Sequence, residues 1–358
     1  MLRELCVMMG FFYNKTPVDK VTLKSEAPVI TENSFTDHPP TWNEIKRHIL
    51  AGAIAGSTTS LITCPLDVVK TRMQYLPILK EHMNEMKDGR PNGMLYNLTK
   101  AKDGVKGRTQ LPYKGTLISL RRIWSEEGLR GLYRGLGPTL LGYLPTFSIY
   151  FPAYHNYKYY LAKWTGRTGN DSFIHLISAI GAGATSSFTT NPFWLIRTRL
   201  MTQSEFTPYF YWNSLHAFRS IYQHEGISGL YKGLGPAALG LLHVAVQFPL
   251  YEKFKSLQKK NPSDTKESLQ VHQILFASTG SKVIASVATY PHEVLRTRFQ
   301  NQTTTPPKYR NIPQAIGLIF REEGLKGFYR GMFTTVMRVV PASAVTLITY
   351  EKVLELCK

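Results

Sequence analysis

Pro65-Leu66-Asp67-Val68-Val69-Lys70-Thr71-Arg72-Met73-Gln74 returns twice in this chain of 358 residues. The second copy is Pro192-Phe193-Trp194-Leu195-Ile196-Arg197-Thr198-Arg199-Leu200-Met201, and the third is Pro291-His292-Glu293-Val294-Leu295-Arg296-Thr297-Arg298-Phe299-Gln300. A second block, Glu127-Gly128-Leu129-Arg130-Gly131-Leu132-Tyr133-Arg134-Gly135, recurs over 225–233 and 323–331, at intervals of 98 residues. The first two prolines lie 127 residues apart and the last two 99, so repeat one carries about 28 extra residues. They fit the polar stretch from about Tyr75 to Gln110, which reads as a loop. A soluble helical solenoid would repeat every ~30–47 residues with frequent surface charges, which excludes that architecture here.

Working outward, the segments between motif copies are short of charge. Leu50–Leu66, Gly135–Tyr157, Ser172–Ile196 and Gly233–Tyr251 contain no acid, lysine or arginine. Two further windows are interrupted by one cation each, Lys282 and Arg338. A bilayer takes about 20 residues of weakly charged helix, so six spans are expected, two per repeat, with both termini on one side. The mean hydropathy of −0.18 is low for such a chain. Helices that turn one face to a water-filled cavity dilute hydropathy in this way, and a cation inside such a span marks a substrate path.

Composition narrows the classes. There are 43 Lys and Arg against 24 Asp and Glu, a net charge of +19, with 43% apolar and 12% aromatic residues. This is neither a disordered nor a collagen-like chain. Cys6, Cys64 and Cys357 have no metal-ligand spacing and are too few for a disulfide framework. A nucleic-acid binder would gather its bases on one face or arm. Here they cluster at the ends of uncharged spans. No nucleophile–base set, metal cluster or phosphate loop is present, so no catalytic residue, metal or cofactor is expected. Gly135-Leu136-Gly137 and Gly233-Leu234-Gly235 are helix openings rather than part of a dinucleotide fingerprint.

The threefold Pro-x-(Asp/Glu)-x-x-(Lys/Arg) pattern resembles the signature of the mitochondrial carrier family, over about Ile45 to Leu356. That resemblance implies an all-α membrane protein with six transmembrane helices in three tandem pseudo-threefold repeats, each with a short matrix-side helix. It also implies a monomeric, alternating-access transporter of the mitochondrial inner membrane, termini toward the intermembrane space and no nucleic-acid partner. Cardiolipin is the candidate lipid at the matrix-side helix ends. Residues 1–44 read as an N-terminal tail without a presequence, followed by repeats at 45–165, 172–260 and 268–358. His175, His243 and His272 read as packed or pore-lining rather than ligating.

Within the motif, proline kinks the helix, and an acid at +2 and a base at +5 can pair with neighbouring helices. Asp67 is expected on Arg197, and Glu293 on Lys70. Trp194 replaces the acid that would meet Arg296, where it can stack on the guanidinium. Gln74 and Gln300 match the family's bracing glutamines and Met201 does not; Asp67, Lys70, Gln74, Trp194, Arg197, Glu293, Arg296 and Gln300 form the expected matrix gate. On the opposite side, Tyr251-Glu252-x-x-Lys255 fits the family pattern, Tyr154-His155-x-x-Lys158 lacks the acid and Tyr350-Glu351-x-x-Glu355 lacks the base. Lys158–Glu351 is the one bridge left, so this cytoplasmic gate is expected to be weak. Gly52-x-x-x-Gly56 and Ala179-x-x-x-Gly183 are small-residue packing faces.

Seven residues after the glycine that opens each even helix stand Gly142, Gly240 and Arg338. Equal offsets put them at one depth, and the resemblance identifies that depth as the substrate contact level. Gly142, Thr146, Phe147, Tyr150, Gly240, Leu241, His243, Lys282 and Arg338 are the substrate-binding candidates. Arg338 takes phosphate or carboxylate, the Gly-Leu pair leaves a slot for a planar base, and Phe147 can stack. Helix four is one residue short between Gly240 and Glu252, so its register can slip by one. Trp194, Ser281-Lys282, Tyr290-Pro291-His292-Glu293 and His243-Val244-Ala245-Val246-Gln247-Phe248 resemble the carriers of NAD, FAD/folate and pyrimidine nucleotides. NAD exchanged for AMP or another nucleotide is the favoured expectation, with a pyrimidine nucleotide second and FAD or folate third.

Overall fold

The computed structural model describes residues 42–87, 115–166, 172–204, 207, 209–258, 271–303 and 307–356. Every regular element among them is helical: α1 (Trp42–Lys87), α2 (Thr116–Leu132), α3 (Leu136–Thr165), α4 (Ser172–Thr202), α5 (Ser214–Leu230), α6 (Leu234–Leu239), α7 (Leu241–Gln258), α8 (Val271–Thr289), α9 (Pro291–Asn301), α10 (Ile312–Glu323), α11 (Leu325–Phe328) and α12 (Met332–Leu356). Each repeat runs long helix, short amphipathic helix, long helix. Even helices pack on the odd helix of the next repeat, α3 on α4 and α7 on α8, and α12 closes the ring on α1.

The polarity of the ring is reversed relative to a water-soluble protein. Leu61, Ile62, Leu141, Phe173, Phe188, Leu242, Phe276, Phe333 and Ile348 are exposed, whereas Thr59, Ser60, Thr63, Ser178, Ser186 and Ser278 are buried. Apolar outside and polar inside is the pattern a bilayer demands. By length and hydropathy, 46–79 and 234–258 are long and apolar enough to cross a membrane, and the bent pair 325–339 with 341–350 makes a third. The other long helices mix in the polar residues of their inward face and fall below that hydropathy.

The backbone departs from the sequence pattern or refines it at three places. The reading of 75–110 as a loop fails at its start, because α1 continues to Lys87. Tyr75, Leu76, Ile78 and Leu79 are buried against Ile123, Leu132, Ile319 and Phe328, and this apolar contact sustains the helix. The rest of the insertion lies outside the described residues. The motif prolines are accommodated differently in the three odd helices. Pro65 and Pro192 sit inside continuous α1 and α4, and the chain breaks only at Tyr290, between α8 and α9. Finally, Gly240 is a break between α6 and α7 rather than a mid-helix residue. Its N–H bonds the Ala237 carbonyl at 3.0 Å and its own carbonyl accepts from His243 at 3.1 Å, both three residues apart. Such a turn rises about 2.0 Å per residue against 1.5 Å in an α-helix, so a helix short by one residue recovers its length there.

The strongest features joining the repeats are three arginines that the sequence reading left without partners. Arg72, Arg199 and Arg298 are fully buried. Each pairs with the glutamate of its own repeat's second block: Arg72 with Glu127, Arg199 with Glu225, and Arg298 with Glu323 at 2.5 Å. A second base shares each carboxylate, Arg134 at 2.9 Å, Lys232 at 2.6 Å and Arg330 at 2.7 Å. Their recurrence at fixed spacing was the available signal.

Burial alone would raise the Glu225 carboxyl, but hydrogen bonds from Arg199 and Lys232 override it and hold the group below the usual carboxylate range. A depressed folded-state value makes this contribution complete above the ordinary carboxylate range, with loss as pH falls through the lower, folded value. Glu225→Ala strands Arg199, a loss of about 3 kcal/mol or more. The apparent melting temperature of the detergent-solubilised protein is expected to fall accordingly. In Glu225→Gln the acid limb of its pH profile should be flatter than in the parent.

Candidate substrate cavity and gate

The closed end of the ring is built by left-handed glycines. Gly135, Gly233 and Gly331 open the even helices with φ of 82°, 80° and 81°, a conformation that costs L-residues but not glycine. A Cβ on Gly135 would lie 3.0 Å from the Arg197 carbonyl, one on Gly233 3.2 Å from that of Arg296, and one on Gly331 3.2 Å from that of Lys70. Each repeat therefore seats its even-helix opening on the +5 base of the next repeat's motif, and the three seats close a circle.

Above these seats stand the ion pairs. Lys70 Nζ lies 2.6 Å from Glu293 and Arg197 Nη2 lies 2.8 Å from Asp67 Oδ2, joining repeat one to three and repeat two to one. Trp194 does not stack on Arg296. Its ring lies 5.4 Å from the Arg197 guanidinium, and its Nε1–H donates to Thr190 Oγ1 at 3.1 Å. The reason is packing: Trp194 is held edge-on to Tyr143, at 5.7 Å between rings, which fixes the indole on the repeat-one side. Gln74 donates to the Tyr290 hydroxyl at 2.9 Å and accepts from Thr297 at 2.7 Å, tying repeats one and three beneath Lys70. Gln300 is buried, with its side-chain nitrogen unpartnered.

The three residues at the common offset meet the next repeat's motif in matching fashion. A Cβ on Gly142 would lie 3.4 Å from Phe193 and 3.8 Å from Trp194, and one on Gly240 3.0 Å from His292 Nε2. Arg338 Nε reaches Asp67 Oδ1 at 3.1 Å. Glycine stands where the facing motif residue is bulky, and arginine where it is a carboxylate. Asp67 thus serves two cations, one oxygen each.

Around this level the structure separates the candidates. Lys282 and Arg338 feel each other's charge, and Lys282 and His292 also act on His243. His243 bonds Thr289 at 3.1 Å. Leu241 is half-buried and packs on the Gly183 face, while the Thr146 hydroxyl is turned back onto the Gly142 carbonyl at 2.6 Å. Phe147 and Tyr150 are 5% and 6% exposed. They are committed to packing, Phe147 over Gly52 and against Tyr143 and Phe151, Tyr150 against Tyr154. The expected stacking role of Phe147 is therefore corrected: the small Gly52 face draws the ring out of open space.

At the opposite end, Tyr154, Tyr251 and Tyr350 are buried. Tyr154 bonds His175, and His48 bonds Tyr350 at 2.9 Å. Lys158, Glu252 and Lys255 each have interaction partners, but the side chains of Glu351 and His272 lie outside the described residues, as do 1–41.

Comparison with known proteins gives a consistent picture. The model of the "Mitochondrial carrier protein" family matches residues 41–164, 169–262 and 267–358. "Nicotinamide adenine dinucleotide transporter 2, mitochondrial" of Arabidopsis thaliana is 38% identical, over 87% of this chain and 79% of that protein. "Mitochondrial nicotinamide adenine dinucleotide transporter 1" of Saccharomyces cerevisiae is 39% identical, over 84% and 74%. "Solute carrier family 25 member 36" of Mus musculus is 34% identical, over 86% and 96%.

Asp67→Asn removes the acid of two direct ion pairs and Glu293→Gln that of one. In thermal unfolding of the substrate-free protein, Asp67→Asn is expected to lower the midpoint further, and an equal or smaller loss would contradict the shared-carboxylate geometry.

Proposed function

The chain belongs to the mitochondrial carrier family, and on that premise we propose that it exchanges nucleotide-type anions across the mitochondrial inner membrane by alternating access, NAD against AMP or another nucleotide. The observation that carries the reading is the Arg338–Asp67 contact at 3.1 Å, a guanidinium held at the substrate level by a single internal carboxylate. An entering phosphate can offer Arg338 two oxygens in bidentate geometry, where Asp67 offers it one. Gly142 and Gly240, at the same level on the other two even helices, add no bulk of their own.

The relatives named as nicotinamide adenine dinucleotide transporters support NAD as the cargo. The pairs Lys70–Glu293 and Asp67–Arg197 join the matrix side in this state. The reading therefore takes Asp67, Lys70, Gln74, Trp194, Arg197, Glu293, Arg296 and Gln300 as the matrix gate, and Lys158, Glu252, Lys255 and Glu351 as the cytoplasmic one. Gly142, Gly240, Leu241, His243, Lys282 and Arg338 form the substrate level, with Thr146 beside them. Termini toward the intermembrane space, a monomer and cardiolipin at the matrix-side helix ends complete the proposal.

Purified protein in liposomes loaded with AMP should take up labelled NAD, in preference to FAD, folate, UTP and TTP. Arg338→Ala should lower NAD uptake at least about a hundredfold while the protein remains folded. Preferential uptake of UTP or TTP would replace NAD by a pyrimidine nucleotide, and unchanged uptake by Arg338→Ala would remove Arg338 from the site.

A further inference from the structure

We propose that Arg296 is a second phosphate ligand, so that the cavity floor carries two guanidinia and selects a diphosphate. The motif's other two +5 bases are spent internally: Lys70 on Glu293 at 2.6 Å and Arg197 on Asp67 at 2.8 Å. Arg296 is the base that faces the acid-less motif. It is half-buried, and among the described residues its side chain has no ion pair, no hydrogen bond and no ring against it. Trp194 does not shield it, because the indole is turned to Arg197 and anchored on Thr190.

A cation kept in such a position needs a counter-charge. Loss of the acid alone, with the base retained, leaves a vacancy that a mobile anion fills. Arg296 lies within electrostatic reach of Arg197 and Glu293, and Arg338 within reach of Asp67 and Glu293, so the two guanidinia have Glu293 as a common neighbour. Among the described residues of this floor, five cations, Lys70, Arg197, Lys282, Arg296 and Arg338, stand against two carboxylates, Asp67 and Glu293. That balance suits a ligand with more than one phosphate charge. A monophosphate can occupy Arg338 alone, whereas a diphosphate spans Arg338 and Arg296.

The physiological ligand rests on the nucleotide-carrier reading, but the site chemistry does not, so inorganic pyrophosphate is the probe. Thermal unfolding of the purified protein should show stronger stabilisation by pyrophosphate than by orthophosphate. Arg296→Gln should weaken pyrophosphate binding about tenfold or more and leave the orthophosphate response in place. Trp194→Asp supplies the missing acid. It should raise the ligand-free midpoint, weaken pyrophosphate to a similar degree, and lose both effects when combined with Arg296→Gln. Should Arg296→Gln not fold, Trp194→Asp alone decides. Parent protein without a pyrophosphate preference, or a Trp194→Asp variant that is stabilised but binds pyrophosphate as the parent does, overturns the proposal. A preserved pyrophosphate effect with no NAD uptake in liposomes would instead overturn the choice of cargo and leave Arg296 as assigned.

Discussion

Burial of three arginine charges is the constraint on which the rest depends. A guanidinium taken from water costs several kcal/mol unless its donors are met, and Arg72, Arg199 and Arg298 are all fully buried. Two of them obtain their donors' partners from the next repeat. Arg72 donates to the carbonyls of Met201 at 3.0 Å and Gln203 at 2.9 Å, and Arg199 to that of Gln300 at 2.9 Å. These are last-turn or just-past carbonyls of α4 and α9, which have no acceptor role within their helices. One residue thus anchors its own amphipathic helix through glutamate and caps the neighbouring repeat's odd helix. The repeats are bound to one another by the same side chain that folds each of them.

The third copy exposes what happens when this arrangement is broken. The carbonyls equivalent to those of Met201 and Gln203 belong in repeat one to Gln74 and Leu76, and α1 carries on past both to Lys87. They are therefore engaged in the helix ladder, and Arg298 keeps Glu323 but leaves Nε and Nη2 without partners. The extension of α1 is purchased with apolar burial of Leu76 and Leu79, at the expense of two hydrogen bonds at the repeat-three to repeat-one joint. That joint is also where Gln74, Thr297 and Tyr290 form a separate hydrogen-bonded brace.

The fold was legible because threefold recurrence and uncharged windows are long-range signals that survive local irregularity. The pairs Asp67–Arg197 and Lys70–Glu293 followed from the motif, since a +2 acid and a +5 base one turn apart can reach the neighbouring helices of a ring. What was not legible depended on volumes. Spacing could not say that Gly52 would draw Phe147 into the packing, or that Tyr143 would hold the Trp194 ring over Arg197. The α1 extension was hidden because the insertion is polar on average, while Tyr75, Leu76, Ile78 and Leu79 at its start are apolar and find partners on α2, α10 and α11.

Trp194 then has a meaning that a missing ion pair alone does not convey. The indole needs room, and Gly142 provides it; a Cβ there would already touch Phe193. At the same level in the other repeats the pairings are Gly240 with His292 and Arg338 with Asp67, so each even-helix residue is complementary in size or charge to the motif residue it faces. The level most readily read as a substrate site is also the level at which the three repeats recognise one another. An anion that takes Arg338 competes with Asp67, and Asp67 is at the same time the partner of Arg197. On the proposed reading of Arg338, anion binding there and the strength of the Asp67–Arg197 joint are therefore coupled through one carboxylate, and a threefold ring with tryptophan in place of one acid has fewer ionic contacts to break.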